Sequence, residues 1–324
     1  MKLSNKKKLF LLVFLSLLIL TVAIVVQDYG RSQKHYAAII VKSTQSAFWK
    51  AVFSGAGAAG AEYNISLTCE GPDREEDYET QNALIQKAVS SGAEAIIFSA
   101  VDYEANAQAI SDAARKGIKI VVIDSDVNSD AVQCRIGTDN FAAGRMAGEA
   151  ALCAGGEELH IGIVNYDVNT ANGQQREQGF RDAVSKDDRI KDVTTINVIS
   201  TTEDAKAGTI MLLQEHPEIN VLATFNEWTS LGVGWAIREL SLKDSTYVVA
   251  FDNNVVSVGM LESGEVDALV VQNPYAMGYL GVEQAKQLIQ GKRLASRKID
   301  TETTVITREN MFQPEYQRIL FMVE

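Results

Sequence analysis

The sequence contains few of the residues on which several classes of protein depend. Among its 324 residues are only three cysteines, three histidines and four prolines. The odd number of cysteines excludes a fully paired set of intramolecular disulfides, and no CxxC motif gives them the spacing of a metal site. We therefore predict that Cys69, Cys134 and Cys153 are small buried hydrophobic residues.

Basic residues and catalytic signatures are also scarce. The chain has 30 Lys and Arg against 42 Asp and Glu, and its formal net charge is −12. Nucleic-acid surfaces need clustered Lys and Arg, so no nucleic-acid partner is predicted. There is no GxSxG elbow, no HExxH and no Walker loop. His35, His160 and His216 stand alone, and we predict neither a metal nor a cofactor.

One glycine motif has the pattern of a dinucleotide-binding fingerprint, but its position in the chain excludes that function. Gly55, Gly57 and Gly60 form a literal GxGxxG. A dinucleotide fingerprint lies in the turn directly after a strand, because its backbone must meet a pyrophosphate. Here the glycines lie inside a helical stretch of small residues, well beyond the apolar run at 37–41. We predict that they pack this helix against a close neighbour.

The amino terminus is predicted to be a separate element. Residues 9–26 are apolar except for Ser16 and Thr21, and this run falls at the short end of the membrane-spanning range. No small-x-small cleavage site follows it. We expect an uncleaved signal anchor at 9–26 with residues 1–8 in the cytoplasm, because lysines precede it. A cleaved signal is the alternative, and both place the chain from about His35 onward outside the cell.

The remainder alternates between short apolar runs and segments of helical period. The runs of strand length are 37–41, 66–69, 95–98, 120–123, 161–164, 193–199, 221–225, 247–251 and 268–271, with a further strand near 132–137. The helical segments between them include 75–90, 103–116, 140–153, 174–185, 203–215, 229–240 and 274–289. This alternation predicts an α/β fold with parallel sheets. The strands are too many for one comfortable sheet, so we predict two doubly wound lobes.

Polar side chains follow four of these runs. They are Asp124-Ser125, Asn226-Glu227, Asp252-Asn253 and Gln272-Asn273. Each pair alone has a simple interpretation as a turn, because Asp and Asn are common turn formers. Together they place carboxylates and amides at the carboxyl edge of the sheets, where open α/β proteins bind ligands. Carboxylates accept hydrogen bonds and amides both donate and accept, which matches the hydroxyl groups of a sugar.

An arginine and several aromatic residues extend this set. Arg176 lies near the start of a predicted helix, where its guanidinium is either solvated or donates to two vicinal hydroxyls. Aromatic rings at strand ends or first helical turns suggest a surface for the apolar face of a sugar. These aromatic residues are Phe48, Trp49, Trp228, Phe251 and Tyr275, and Trp228 either lines a cleft or packs its helix.

Eight motifs, taken in their order along the chain, resemble those of a known protein family. They are STQSAFWKAVFSGA, GAEAIIFSAVD, GIKIVVIDSDV, IGTDNFAAGRMAG, REQGF, LATFNEWTSLGVGWAI, VVAFDN and VDALVVQNPYAMGYLGV. From about Tyr36 to Phe312 the chain resembles the type 1 periplasmic binding proteins, especially the ribose/galactose-binding group, whose fold lactose-repressor-type regulators share. The resemblance implies two similar lobes joined by three crossovers and closing on a sugar. Lobe 1 is expected at 36–137 and 273–298, and lobe 2 at 138–272 and 299–324.

The resemblance also implies a set of ligand-binding residues. Phe48 and Trp49 are expected to stack, Asp124 to accept from a hydroxyl, and other contacts to come from Ser125, Arg176, Asn226, Asp252 and Gln272. The chain departs from ribose binders in two places. Ser125 stands where they often carry an arginine, and Ser46-Ala47 stands where they carry an asparagine. The resemblance therefore implies a sugar-like ligand without identifying it.

The expected function is that of an extracytoplasmic receptor tethered to the membrane. A sugar would enter the cleft, and the closed form would then be recognised by the permease of a sugar ABC importer or by a membrane sensor histidine kinase. The missing lipid-attachment cysteine mildly favours the sensor. A sugar-processing enzyme with the same fold is the alternative, although no nucleophile–base set supports it. A transcription regulator would need a basic helix-turn-helix where residues 9–26 lie.

Overall fold

The computed structural model describes residues 14–21 and 34–321. Residues 14–21 are helical and form the described part of α1. The rest of the predicted signal anchor, at 9–13 and 22–26, lies outside the described residues. Within the described ranges, no helix is both long enough and apolar enough to cross a membrane. The chain divides into two compact units, Met1–His35 and Tyr36–Glu324.

The first lobe is built on a six-stranded sheet in the order β11-β5-β4-β3-β1-β2. Its strands are β1 (His35–Ile40), β2 (Ile65–Glu70), β3 (Ala95–Phe98), β4 (Lys119–Ile123), β5 (Cys134–Gly137) and β11 (Lys298–Asp300). From β1 through to β11 the neighbouring strands pair in parallel. The helices of this lobe are α2 (Ala47–Tyr63), α3 (Tyr78–Ser90), α4 (Ala107–Arg115) and α10 (Pro274–Ile289).

The second lobe repeats this plan in the order β12-β10-β9-β8-β6-β7. Its strands are β6 (Leu159–Asn165), β7 (Ile190–Asn197), β8 (Val221–Thr224), β9 (Tyr247–Phe251), β10 (Ala268–Val271) and β12 (Thr304–Thr307). Only β12 runs antiparallel to its neighbour, among the strands of this sheet that the structure describes. Its helices are α5 (Asn140–Ala151), α6 (Ala171–Val184), α7 (Thr202–Glu215), α8 (Glu227–Leu240), α9 (Val255–Ser263) and α11 (Pro314–Phe321).

Each sheet is covered on both faces, as its continuous apolar strands require. In β1, Ala37 and Ile39 pack into one hydrophobic core with α2 and α10, whereas Ala38 and Ile40 pack into another with α3 and α4. Successive residues alternate between these cores because strand side chains point to opposite faces. The predicted α/β class with two parallel-sheet lobes is confirmed.

The chain passes between the lobes three times. It crosses from β5 into α5, from β10 into α10 and from β11 into β12. The predicted boundary between residues 298 and 299 falls inside β11. Ile299 and Asp300 pair with Ile136 and Gly137 of β5, so backbone hydrogen bonding places them in the first sheet. The sequence did not reveal this strand because only three residues form it.

The cysteine prediction was correct for only one residue. Cys134 is buried in β5, but Cys69 and Cys153 are exposed, and all three are free thiols. Cys69 lies on β2, at the edge of its sheet, and Cys153 follows the end of α5. Residues at a sheet edge or just past a helix have fewer neighbours to cover them, which explains the two exposed thiols.

Two of the three glycines of the GxGxxG motif pack α2 against a close neighbour, Gly55 against α10 and Gly60 against β2. A Cβ atom built at Gly55 would overlap the backbone carbonyl oxygen of Tyr275 on α10, and one at Gly278 of α10 would overlap the carbonyl oxygen of Val52. The two helix backbones therefore touch where both lack side chains. At Gly57 the same test finds nothing within 4 Å, so the packing interpretation is wrong for that position.

The two glycines make a matched pair for a stability test. Gly55→Ala should lower the free energy of unfolding by about 1–3 kcal/mol, because α2 and α10 must move apart. Gly57→Ala, on the same helix, should be neutral or stabilise by up to about 1 kcal/mol through helix propensity. Urea denaturation of both variants measures the difference. Equal effects of the two substitutions would contradict the close helix contact.

Candidate functional site

The carboxyl ends of four strands bring polar side chains to the space between the sheets. Asp124 follows β4 in the first lobe, while Asn226, Asp252 and Gln272 follow β8, β9 and β10 in the second. All four side chains contribute to one cavity. Parallel strands make this possible because they deliver their carboxyl ends to a single edge of each sheet.

The two aspartates occupy equivalent and unusual positions. Asp124 has φ 56° and Asp252 has φ 67°, both in the left-handed region. This conformation costs energy for most side chains, and Asp is among the residues that tolerate it best. Each lobe thus turns its chain sharply after a central strand and places a carboxyl group in the wall of the cavity. Strained backbone of this kind clusters at functional sites.

Arg176 is the buried cation that the second lobe places in the wall of the cavity. It lies on α6 with only 1% of its surface exposed. Its Nε donates to Asn140 Oδ1 at 2.9 Å, Nη1 to the Phe225 carbonyl oxygen at 2.6 Å and Nη2 to Gln272 Oε1 at 2.7 Å. The guanidinium also lies 4.9 Å from the centre of the Phe251 ring. Protein atoms thus accept hydrogen bonds from all three nitrogens of the guanidinium. Arg176 therefore positions its neighbours as well as facing the cavity.

The first lobe supplies two aromatic rings at the start of α2. Phe48 and Trp49 meet edge to face, with ring centroids 4.9 Å apart. Trp49 donates its indole N–H to Glu75 Oε1 at 3.1 Å, which fixes the ring. Both rings line the cavity and are otherwise buried. They provide the apolar surface that the sequence predicted.

A lysine beside these rings has no close acceptor. Lys42 follows β1 with 2% of its surface exposed, and its Nζ lies 3.8 Å from Glu75 Oε2. Among the residues that the structure describes, none accepts a hydrogen bond from this ammonium. Burial lowers the pKa of Lys42, but nearby carboxylates, led by Glu75, outweigh it and raise the pKa overall. Lys42 therefore remains charged and has donors to offer to the cavity.

Direct hydrogen bonds join the lobes around this space. Asn172 of α6 donates to both carboxylate oxygens of Asp124, at 3.1 and 3.2 Å. Ser200 donates from its hydroxyl to Glu75 Oε2 at 3.0 Å. The lobes are therefore closed on each other in this structure.

The cavity between the closed lobes is small, with a volume of about 20 Å³. Seven of the eight predicted ligand-binding residues line it: Phe48, Trp49, Asp124, Arg176, Asn226, Asp252 and Gln272. Ser125 does not line it, and this part of the prediction needs correction. Its side chain is buried behind the strand end, and its Oγ finds no hydrogen-bond partner among the described residues. Asp124, in its left-handed turn, lines the cavity, and Ser125 directly after it does not.

Further lining residues were not predicted as ligand contacts. These are Lys42, Ser46, Glu75, Tyr166, Asn172, Glu227 and Trp228. Lys42 directly follows an apolar strand, so the rule that identified Asp124 would also have identified it. Trp228 lines the cleft, which resolves its two interpretations. The others lie on loops or at helix starts, where only the folded chain shows which way they face.

Comparison with known proteins assigns the family. The model described as "Periplasmic binding protein domain" matches residues 37–293. The chain belongs to this periplasmic binding protein family. The predicted resemblance to its type 1 sugar-binding group is confirmed. The match covers most of both lobes and all of the cavity residues identified above.

Individual members of the family are similar over most of their length. The D-ribose/D-allose-binding protein of Pseudomonas aeruginosa is 26% identical over 294 residues, covering 85% of this chain and 89% of that protein. A carbohydrate transporter solute-binding protein of Agrobacterium radiobacter, solved with D-arabinose, is 29% identical with a TM-score of 0.86, covering 89% and 99%. A sugar transporter of Clostridium phytofermentans is 32% identical with a TM-score of 0.77, covering 85% and 99%.

The buried carboxyl group of Asp252 is a weaker acid than that of an ordinary aspartate. Burial raises its pKa to about 7, an effect that Glu227 and Asp124 increase and that Arg176 and Gln272 oppose. Gln272 Nε2 donates to Asp252 Oδ1 at 2.7 Å. Near neutral pH a fraction of the molecules therefore carries a protonated Asp252, which donates as well as accepts a hydrogen bond.

This raised pKa makes stability depend on pH. Between about pH 4 and pH 7 the folded Asp252 holds its proton while the unfolded one has lost it, so rising pH destabilises the fold. We expect the wild type to lose more unfolding free energy than Asp252→Asn between pH 5 and pH 8, by an amount on the order of 1–3 kcal/mol. Urea denaturation at both pH values measures it. Identical pH profiles for the two proteins would contradict a raised pKa.

Proposed function

We propose that this periplasmic binding protein captures a monosaccharide or a related polyol between its lobes and presents the closed form to a membrane partner. The observation that supports this most strongly is the composition of the cavity wall. Carboxylates from both lobes, a charged lysine from the first lobe and amides from the second surround a small space beside the rings of Phe48 and Trp49. Hydroxyl groups need fixed donors and acceptors, and the C–H face of a sugar ring packs on aromatic surface.

The charge of the cavity wall favours a neutral sugar. The wall carries the carboxyl groups of Glu75, Asp124, Glu227 and Asp252. Only Lys42 and Arg176 oppose them as cations. An acidic wall disfavours sugar phosphates and sugar acids, because like charges would be brought together without water.

We also propose that binding works through closure. Lobe 1 comprises 36–137 and 273–300, lobe 2 comprises 138–272 and 301–321, and the three crossovers between them form the hinge. A ligand shifts the balance between the open and closed forms only by its differential affinity for the two. Contacts to both lobes supply that difference, because Asp124 lies on one lobe and Asn226 on the other. The named relatives are binding and transport proteins, which supports a binder rather than an enzyme.

The partner is a membrane protein that the lobes meet on the extracytoplasmic side of the membrane. We propose that residues 9–26 anchor the chain, so that the lobes face the extracytoplasmic side. The partner is then a sugar ABC importer or a membrane sensor histidine kinase. Relatives named as ribose import binding proteins, such as that of Bacillus subtilis at 25% identity, support the importer.

Ligand binding can be tested with two neighbouring aspartates. A thermal-shift screen of pentoses and hexoses, including D-ribose, D-allose and D-arabinose, should reveal a stabilising sugar. At 100-fold its dissociation constant, this sugar should add about 2.7 kcal/mol to stability. Asp124→Asn preserves the left-handed backbone and should weaken binding by about 10-fold or more, because the amide loses one acceptor.

Asp126→Asn is the matched control, since Asp126 pairs with Arg135 through a 2.7 Å contact and does not line the cavity. It should leave the dissociation constant unchanged. Isothermal titration calorimetry gives both values. Equal affinity in Asp124→Asn and the wild type, or no stabilising sugar in the panel, would argue against the proposed site.

Membrane attachment can be tested separately from sugar binding. The full chain expressed in a bacterial host should sediment with membranes and resist extraction by high salt, whereas a chain that begins at residue 34 should remain soluble. Added protease should digest the lobes in spheroplasts, because they face outward. A full chain recovered wholly in the soluble fraction at its unprocessed mass would contradict the anchor.

A further inference from the structure

The amino terminus of α2 faces the opposing lobe. A helix begins with N–H groups that have no intrahelical partner, and they attract negative charge. In α2, Ser46 is the N-cap and its Oγ accepts from the Trp49 N–H at 3.3 Å. The N–H groups of Ala47 and Phe48 point away from their own lobe. In the closed structure both find acceptors on the second lobe.

Those acceptors belong to a single side chain, Glu227. Its Oε1 accepts from the Ala47 N–H at 3.2 Å, and its Oε2 accepts from the Phe48 N–H at 3.1 Å. Asn254 Nδ2 also donates to Oε1, at 2.9 Å, and so holds the carboxylate in place from its own lobe. Glu227 is 6% exposed at the first position of α8. Both of its oxygens are therefore directed at the helix of the other lobe.

We infer that Glu227 is a positioning residue that favours closure with or without a sugar in the cleft. A carboxylate that caps a helix terminus makes charge-assisted hydrogen bonds, which are stronger than neutral ones. These bonds exist only when the lobes meet. They require no ligand atom, because the two oxygens already hold three donors.

This inference rests on the proposed capture of a ligand by lobe closure and adds a regulatory consequence. The apparent affinity of a binding protein is its intrinsic affinity multiplied by the fraction of molecules in the binding-competent form, so a smaller fraction means weaker binding. If Glu227 raises the ligand-free population of the closed form, it tightens binding beyond any contact that it makes with the sugar as a residue of the cavity wall. It also sets how often a membrane partner encounters a closed but empty receptor.

The helix side of the contact can be changed without altering Glu227. Ala47 is the first residue of α2, a position where proline is favoured because its N–H lacks an intrahelical partner. The preceding residue, Ser46, has φ −82° and ψ 160°, the extended conformation that proline requires before it. Ala47→Pro therefore removes one donor to Glu227 and should leave the helix intact. Glu227→Gln removes the charge from the other side.

Two native thiols provide labels for the measurement. Cys69 on the first lobe and Cys153 on the second are exposed, while Cys134 is buried. Spin labels on the exposed pair report the distance between the lobes by double electron–electron resonance on the full chain without sugar. We expect the short-distance population to fall in both Glu227→Gln and Ala47→Pro. Calorimetry with D-ribose and D-arabinose should show about 10-fold weaker binding for Glu227→Gln, or ~1.4 kcal/mol.

Glu203→Gln is the matched control, because Glu203 is an exposed acidic residue in the first turn of α7 on the same lobe. It should leave the distance distribution unchanged. The double variant Ala47→Pro/Glu227→Gln should lose less than the sum of the single losses, since the substitutions remove the same contact. Thermal melts confirm that each variant folds.

A distance distribution that is the same in the wild type and both variants overturns the inference, as does a ligand-free wild type without a short-distance population. Because this readout uses no sugar, it is independent of whether the proposed ligand class is correct. If the distances shift but no sugar binds, the proposed function fails and the role of Glu227 stands.

Discussion

The structure depends on charged groups that are buried between two lobes and satisfied by neutral hydrogen-bond partners. Taking an ionised group out of water is costly unless it is paired and hydrogen-bonded. Arg176 meets this requirement within its own lobe through three acceptors. Asp124 meets it across the cleft through Asn172. Closure therefore adds cross-lobe hydrogen bonds to Asp124, whereas the hydrogen bonds of Arg176 need only its own lobe.

The lobes share a plan but contribute differently to the cleft. Each places an aspartate in a left-handed turn after a central strand, at Asp124 and Asp252. The first lobe adds the Phe48 and Trp49 rings and the ammonium of Lys42, and the second adds amides, a guanidinium and the rings of Tyr166 and Trp228. A sugar presents both an apolar face and a rim of hydroxyls. Two lobes of unlike chemistry can contact both at once.

Much of the fold was predictable because its signals are local. The strands β3, β9 and β10 and the helix α10 begin and end where the sequence predicted, since apolar runs stop at polar turn formers and Pro274 opens its helix. The short strand β11 was missed because its residues alternate between exposed and half-buried and carry no apolar run. Its existence depends on pairing with β5, which is a tertiary event.

The site was predictable where strand ends define it and not elsewhere. Asp124, Asn226, Asp252 and Gln272 were found because parallel strands fix the place of the next residue. Glu75 and Asn172 were not found, because their roles depend on how a loop and a helix approach the other lobe. The error at Ser125 has a similar cause, since the order of residues after a strand does not fix which one faces the cleft.

If polar groups from both lobes hold one small sugar between them, a single ligand must contact both lobes at once. The most direct test is a crystal structure of the chain from residue 34 onward, grown with the sugar that binds most tightly. We expect electron density for one sugar ring against Trp49, with hydroxyls bonded to Asp124 on one side and Asn226 on the other. A sugar bound elsewhere on the surface, or one held by a single lobe with the cleft closed and empty, would contradict it.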